Sequence, residues 1–533
     1  MPTTGLVDLD VTAHLIDAAR LKHEGLMAEA EDHIRAAVQL DPGRPDVLVA
    51  LADLALAGKR SDDAATYARR AIALSPKNPG NHQMLSAALG AGMDLDGSIA
   101  EVRRALDIVP SPGLHAALIF MLDMHQTMTP EMLLEERKRF DAWYCQRHTD
   151  AAAPHTNRPD PERRLRVGYV GADFRNHSAA STFKPAITHA DPEQIETYLY
   201  STFVGWDKAE QDQFKGAANW REAALSPDDL AALIRVDRID ILVDCAGYTA
   251  GGMLETFARR PAPIQVTGWG YATGVGLACM DYVIGDDVVT PEGSEAFYTE
   301  QILRLPSWIA YGDAENVPPV TKGPSEQGGA LTFGCFSRPN LISPACLDAW
   351  GAILRALPES RLFLKNGMYE DAGAVRAIIN ALVARGVADR RIDITGATSR
   401  WEHLWQHGKV DVALDPFPQG GGVTAQDALL MGVPVVTLPG PLMHQRKALS
   451  LLTQCGIPQL AASDATGYVE RAVALRPKFG ERVKTRAAFL ETSMGRPEVY
   501  ARAVESAYRD VWRAWCAEQA KPALSLVPSE AAA

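Results

Sequence analysis

The sequence is short of positive charge. Its 53 lysines and arginines are outnumbered by 66 acidic residues, giving a formal net charge of −13 and a pI near 5.5. With no basic cluster, nucleic acid and anionic membrane surfaces are poor partners. CxxC pairs are also missing. The seven cysteines, Cys145, Cys245, Cys279, Cys335, Cys346, Cys455 and Cys516, stand singly and are odd in number. That suits reduced thiols in a cytoplasm rather than a disulfide framework. No apolar run approaches the roughly 20 residues that span a bilayer. The N-terminus MPTTGLVDLD has neither the basic nor the apolar region of a secretory signal. A soluble cytoplasmic protein is expected. At 533 residues, 47% hydrophobic, the chain can fill several cores, and about 150 residues per domain gives three to four domains.

What is present is a period. Pro42, Pro76 and Pro110 are spaced by 34 residues, twice over. Small residues keep the same period: Ala37, Ala71 and Ala105; Ala30, Ala64 and Ser98; Ala18, Ala52 and Ser86. Small side chains let paired helices approach closely, and each proline ends a helix that it cannot continue. The pattern resembles the tetratricopeptide repeat, a helix–turn–helix unit stacked into a groove for peptides. Three units are read over residues 11–112. Residues 113–148 look helical but lose the register, as capping helices would, so the solenoid is assigned to 1–148. Residues 149–164, rich in proline and polar residues, read as a linker.

From Leu165 the pattern changes. Short apolar runs such as LRVGYVG, IDILVDC, LTFGCFS, RLFLK and VPVVTL alternate with helical stretches. Near-continuous apolar strands between helices imply parallel sheets covered on both faces. The stretch is too long for one such sheet. Two Rossmann-like lobes are therefore expected, at 165–315 and 325–518, with a hinge around Asp313–Gly328 and a disordered tail at 519–533.

The strongest chemical signal is DVALDPFPQGGGVTAQDALLMGVPVVTLPG, residues 411–440. A strand ends at Leu414, a rigid proline turn follows, and Gly420, Gly421 and Gly422 lead into a helix. Glycines let backbone pass close to a bulky ligand. The free N–H groups at the helix start suit an anion such as pyrophosphate. Thr424 could add a hydroxyl donor, and Asp427 could accept from a ribose hydroxyl.

The turn and the GVPVVTLPG after it resemble the nucleotide-sugar site of two-lobed (GT-B type) glycosyltransferases. LRVGYVGADFRNHS, ILVDCAGYTAGG, RRPAPIQVTGWGYATGVGLACMDYVIGDD and FYTEQILRLP resemble, more narrowly, the protein O-linked N-acetylglucosamine transferases and their bacterial relatives (glycosyltransferase family 41), over roughly 160–515. The resemblance implies roles residue by residue. His177 matches an active-site histidine proposed as a base, with a merely structural histidine as the alternative. Tyr271, Asp281 and Tyr282 match a core motif, and Tyr248 and Tyr271 would line the cleft; Asp281 could equally cap a turn. His403 matches a histidine near the nucleotide base. Asp427 matches the aspartate that binds the donor ribose, or is a first-turn helix acid. Arg446, in GPLMHQRKALSLL, matches the arginine of GETxxxRVAxSLL. No metal and no cofactor are implied beyond the donor itself.

The departures from the family pattern are informative. Its FNxxxKxxP, whose lysine neutralises the donor's phosphate, is here FSRPNLISP, with Leu341 at the lysine position. Arg338 or Lys365 is the expected substitute. A leucine there also fits a donor that leaves with one phosphate. In layout, repeats joined to a diverged transferase domain, the chain also resembles the flagellin glycosyltransferases; that resemblance implies transfer of a nonulosonic (pseudaminic-type) acid from a cytidine-monophosphate donor to serine or threonine of an acceptor held by the repeats, and this is the reading favoured on sequence. The alternatives are a uridine-diphosphate N-acetylglucosamine-dependent transferase and an inactive repeat scaffold.

Overall fold

A computed structural model describes residues 3–520, save residues 25, 176, 204–211, 213, 215 and 313–315. The expected tail beyond 520 and the first residues of the expected hinge thus lie outside the described residues.

Helices come first: α1 (Thr3–His23), α2 (Met27–Leu40), α3 (Pro45–Ala57), α4 (Ser61–Leu74), α5 (Pro79–Ala91), α6 (Leu95–Ile108), α7 (Pro112–Leu122), α8 (Pro130–Phe140) and, after one π-helical turn, α9 (Gln146–Asp150). The periodic prolines stand two residues past the ends of α2, α4 and α6. All nine periodic alanines and serines are buried. Where the third unit carries serines instead of alanines, the two hydroxyls meet: Ser86 and Ser98 Oγ lie 2.8 Å apart, and Ser98 also donates to the Ser86 carbonyl at 2.8 Å. A buried hydroxyl needs such a partner, and the serine of each register supplies it for the other.

Two parallel sheets follow. The first has seven strands in the order β3-β2-β1-β4-β5-β6-β7: β1 Leu165–Gly171, β2 Ile195–Ser201, β3 Asn219–Glu222, β4 Ile241–Asp244, β5 Ile264–Thr267, β6 Tyr282–Gly285 and β7 Gln301–Arg304. The second has five, β10-β9-β8-β11-β12: β8 Thr332–Cys335, β9 Arg361–Lys365, β10 Ile392–Thr395, β11 Val412–Leu414 and β12 Val435–Val436. β1 is buried at all but one position, and β4, β5 and β8 throughout, as sheets covered on both faces require. This is the solenoid-plus-two-lobes architecture expected from the sequence. The final helix, Pro497–Gln519, expected with the second lobe, also packs on the first: Tyr500 accepts from Trp269 Nε1 at 2.8 Å, and Tyr508 and Trp512 join a core that spans both lobes.

Both sheets anchor the turn after a central strand in the same way. Asp244, ending β4, accepts from Ala246 and Gly247 N–H and from Thr267 Oγ1. Asp415, just past β11, accepts from Gly421 N–H at 2.6 Å and Thr437 Oγ1 at 2.7 Å. These turns lie at the carboxyl ends of parallel strands, where such sheets bind ligands.

The solenoid lies against both lobes. Ile119, Phe140 and Cys145 share a core with Tyr248, Leu254 and Tyr271 of the first lobe. Asp123 binds Arg137 and the Tyr271 hydroxyl in a buried cluster. In the middle of the array, at the start of α4, Ser61 donates to Asp371 of the second lobe from its N–H at 2.9 Å and its Oγ at 2.7 Å. Arg376 pairs with Asp62. The apolar face of the last helices, which needs a cover, is therefore closed by the transferase region.

Candidate active site

Between the lobes lies a cavity of about 1270 Å³ with walls from all three parts of the chain: Phe120 and Ala116 of α7, Asp173, His177 and Trp308 of the first lobe, and Ser337, Arg400, His403, Gly420–Thr424 and Lys447 of the second. Its floor in the second lobe is the glycine turn. A Cβ on Gly420 would stand 2.7 Å from Asp415 Oδ2, one on Gly421 2.2 Å from Thr424 Oγ1, and one on Gly422 2.9 Å from the Trp308 ring. Any other residue would push the turn off its supports. The helix that follows, Val423–Leu430, has no side-chain cap, so its first N–H groups are available to an anion. Thr424 Oγ1 sits 3.0 Å from Ser337 Oγ, giving a hydroxyl pair beside the helix start.

Asp427 lies one turn further on, fully buried. Burial alone would raise its pKa; the Arg400 guanidinium, bonded to both oxygens at 2.6 and 2.7 Å, and then His403, 3.4 Å away, hold it well below the usual carboxylate range. Arg400 also donates to Tyr311 Oη at 2.8 Å. His403 stands edge-on to Phe336, ring centroids 5.4 Å apart, while Phe336 stacks flat on His407 at 3.8 Å. An aromatic shelf therefore flanks the acidic pocket.

Across the cleft, the exposed ring of His177 has Nδ1 3.2 Å from Asp173 Oδ2, to which it donates in the tautomer that leaves Nε2 unprotonated, with Ala179 N 3.3 Å away. Nδ1 is thus engaged, and among the described residues Nε2 has no partner. An imidazole held from behind with its other nitrogen open to a cleft is placed to accept a proton.

The structure gathers His177, Tyr248, Tyr271, Arg338, His403, Gly420, Gly421, Gly422, Thr424 and Asp427 around this one cavity. It does not bring in four others. Lys365 is buried behind His403, its ammonium 3.3 Å from the Gly396 carbonyl and 3.2 Å from His403 Nδ1; it positions the histidine and does not reach the cavity. Arg446 reaches away from the cleft to the Val288 carbonyl at 2.7 Å and the Gly440 carbonyl at 3.1 Å, as a strut between lobes. Asp281 accepts from Gln265 N–H and from Arg260, tying β5 to the start of β6, and Tyr282 stands half-buried beside it. The tyrosines do line the cleft, yet their hydroxyls are committed: Tyr248 donates to the Val275 carbonyl at 2.7 Å, and Tyr271 to Asp123.

The sequence reading passed over Asp173, Trp308, Arg400 and Lys447. Lys447 carried a signal: it stands where the family's RVA has valine, in the string that contains Arg446. Its neighbour in sequence points away from the cavity while Lys447 lines it.

Two parallel α/β lobes, a glycine turn opening an uncapped helix between them, and a helical-repeat arm are the layout of the two-lobed (GT-B type) glycosyltransferase fold. The chain belongs to glycosyl transferase family 41, whose profile matches residues 146–322 and 325–498. It is 32% identical over 371 residues to the probable UDP-N-acetylglucosamine–peptide N-acetylglucosaminyltransferase SPINDLY of Arabidopsis thaliana, covering 68% of this chain and 41% of that protein. It is 25% identical over 441 residues to the UDP-N-acetylglucosamine–peptide N-acetylglucosaminyltransferase of Caenorhabditis elegans, covering 59% and 37%. The chain thus spans about two fifths of the length of these curated relatives. Among solved structures, a lysine-to-methionine mutant of the Thermobaculum terrenum O-GlcNAc transferase superimposes with a TM-score of 0.89 at 32% identity, covering 96% of this chain and 99% of that one. No helix among the described residues is long and apolar enough to cross a membrane.

Proposed function

We propose that this protein transfers N-acetylglucosamine from its uridine-diphosphate donor to serine or threonine hydroxyls of a protein held along the repeats. The observation that carries the reading is the glycine turn and uncapped helix start at the base of a cleft that α7 also walls. In that arrangement a nucleotide sugar and an acceptor segment from the solenoid can meet. The acceptor oxygen attacks the anomeric carbon, its proton passes to His177 Nε2, and the bond from that carbon to the phosphate oxygen breaks with its electron pair leaving on the diphosphate. The helix start and nearby cations receive that charge. The nucleotide lies on the shelf of Phe336 and His403.

The relatives' names favour this donor over a cytidine-linked nonulosonate, and nothing in them points to flagellin as acceptor. The cavity's charge supports the same reading. Leu341 did replace the family's lysine, but Arg338 and Lys447 keep the cavity cationic, so a two-phosphate leaving group is not left unmatched. Charge neutralisation by side chains needs no metal in this reading. The test is calorimetric titration of the protein with UDP, GDP and CMP in buffer containing EDTA. UDP is expected to bind tightest. Preference for CMP would restore the nonulosonate reading, and failure of all three would favour an inactive scaffold.

A further inference from the structure

Lys447 lies on the helix Met443–Gln454 and is only 9% exposed, yet it lines the cleft. Its aliphatic stem crosses the glycine turn, because a Cβ on Gly422 would stand 3.5 Å from Lys447 Cδ. The side chain therefore runs past the start of the helix Val423–Leu430. Among the described residues its ammonium has no hydrogen-bond or ion-pair partner. The nearest acids are spoken for: Asp415 by Gly421 N–H and Thr437, Asp123 by Arg137 and Tyr271. A second cation, the exposed Arg338, lines the same cavity, without an ion pair among the described residues and with its guanidinium 5.5 Å from the Phe120 ring. Trp308, whose ring abuts Gly422, has a buried Nε1–H with no acceptor. A buried ammonium with no counter-charge is costly. Lys447 bears that cost beside an uncapped helix start and a second, exposed cation at the same cavity, Arg338, a set of donors with no acceptor among the described residues.

We propose that Lys447 supplies the cation that holds the donor's phosphates, in place of a lysine at Leu341. The inference rests on the nucleotide-sugar reading above and assigns the charge in that site to a residue of a different helix. Burial first, and then the Arg338 charge, lower the Lys447 pKa from its ordinary value to about 8, against the opposing pull of Asp415 and Asp123; neutral His444 lies alongside. An arriving phosphate would restore the proton.

The experiment is calorimetry of UDP and of uridine with wild type, Lys447→Met and Lys447→Arg, run at pH 8 in two buffers of different ionisation enthalpy. Expected for wild type is UDP binding with net proton uptake. Expected for Lys447→Met is at least a tenfold loss of UDP affinity, no uptake, and unchanged uridine affinity, with Lys447→Arg retaining most of the UDP affinity. UDP binding by Lys447→Met as tight as wild type, with uptake retained, overturns the assignment and leaves the nucleotide reading standing. A wild type that binds neither UDP nor uridine overturns both. Should Lys447→Met fail to fold, the wild-type measurement still decides: UDP binding at pH 8 without proton uptake contradicts the proposal.

Discussion

At the scale of residues, the cleft is a balance of burial against charge. Lys447 is the clearest case, and the sign of its effect on folding follows from its pKa of about 8. Below pH 8 the folded and unfolded chains both carry the proton, and the folded protein bears the full cost of burying it. Between pH 8 and about 10.5 the unfolded chain still holds the proton that the folded one has released, so stability rises with pH. Lys447→Met should lack that rise, and without nucleotide should be more stable than wild type at pH 7 by about 1–3 kcal/mol, measured by chemical denaturation at pH 7 and pH 9.5. A less stable variant would mean that the ammonium has a partner within the protein. His177 makes a different prediction. It touches no core, so His177→Ala should leave UDP affinity and thermal midpoint in place while lowering kcat by about a hundredfold or more, read from turnover of the sugar donor. An equal loss of UDP affinity would assign it to the nucleotide instead.

At the scale of elements, some parts were legible because they follow local rules. The 34-residue period placed the prolines at helix ends and the small residues at helix contacts, since both depend only on a residue's own position in a repeated unit. The glycine turn was legible for the same reason. What could not be read was which way a side chain turns on a buried helix. Arg446 and Lys447 are adjacent, and one reaches to the Val288 carbonyl while the other lines the cavity; the angle of the Met443–Gln454 helix decides that, and packing sets the angle. Lys365 sits at the end of a strand in a string that looks like a phosphate site, yet the Gly396 carbonyl and His403 hold it back. The contact between α4 and the second lobe is long-range and equally invisible in sequence. Asp371 both caps the helix Ala372–Val383, accepting from Gly373 and Ala374 N–H, and receives two bonds from Ser61. Asp371→Ala should therefore cost about 1–3 kcal/mol and speed hydrogen exchange at the start of α4. Ser61→Ala, which keeps the cap, should cost less. Equal effects of the two would show that the cap carries nothing.

At the scale of the whole molecule, the solenoid is a third wall of the inter-lobe cavity as well as an arm beside it. Phe120 of α7 faces Arg338, Asp123 holds Tyr271, and α4 is tied to the second lobe. On the proposed function, an acceptor segment lying along the repeats would be delivered beside His177 and the glycine turn together. The architecture of solenoid and two lobes was legible from period and strand patterning. The donor was not: its choice hung on one leucine at 341, and a lysine on another helix changes what that leucine means. The most direct test of the account is sugar transfer itself. The purified protein is incubated with Ser/Thr-containing acceptor proteins and a panel of uridine-, guanosine- and cytidine-linked sugars, and the acceptors are read by intact mass and fragment mapping. The account predicts addition of one N-acetylhexosamine to serine or threonine from the UDP-linked donor, lost in His177→Ala. Transfer only from a cytidine-linked nonulosonate, or no transfer from any donor by a protein that binds UDP, would contradict it.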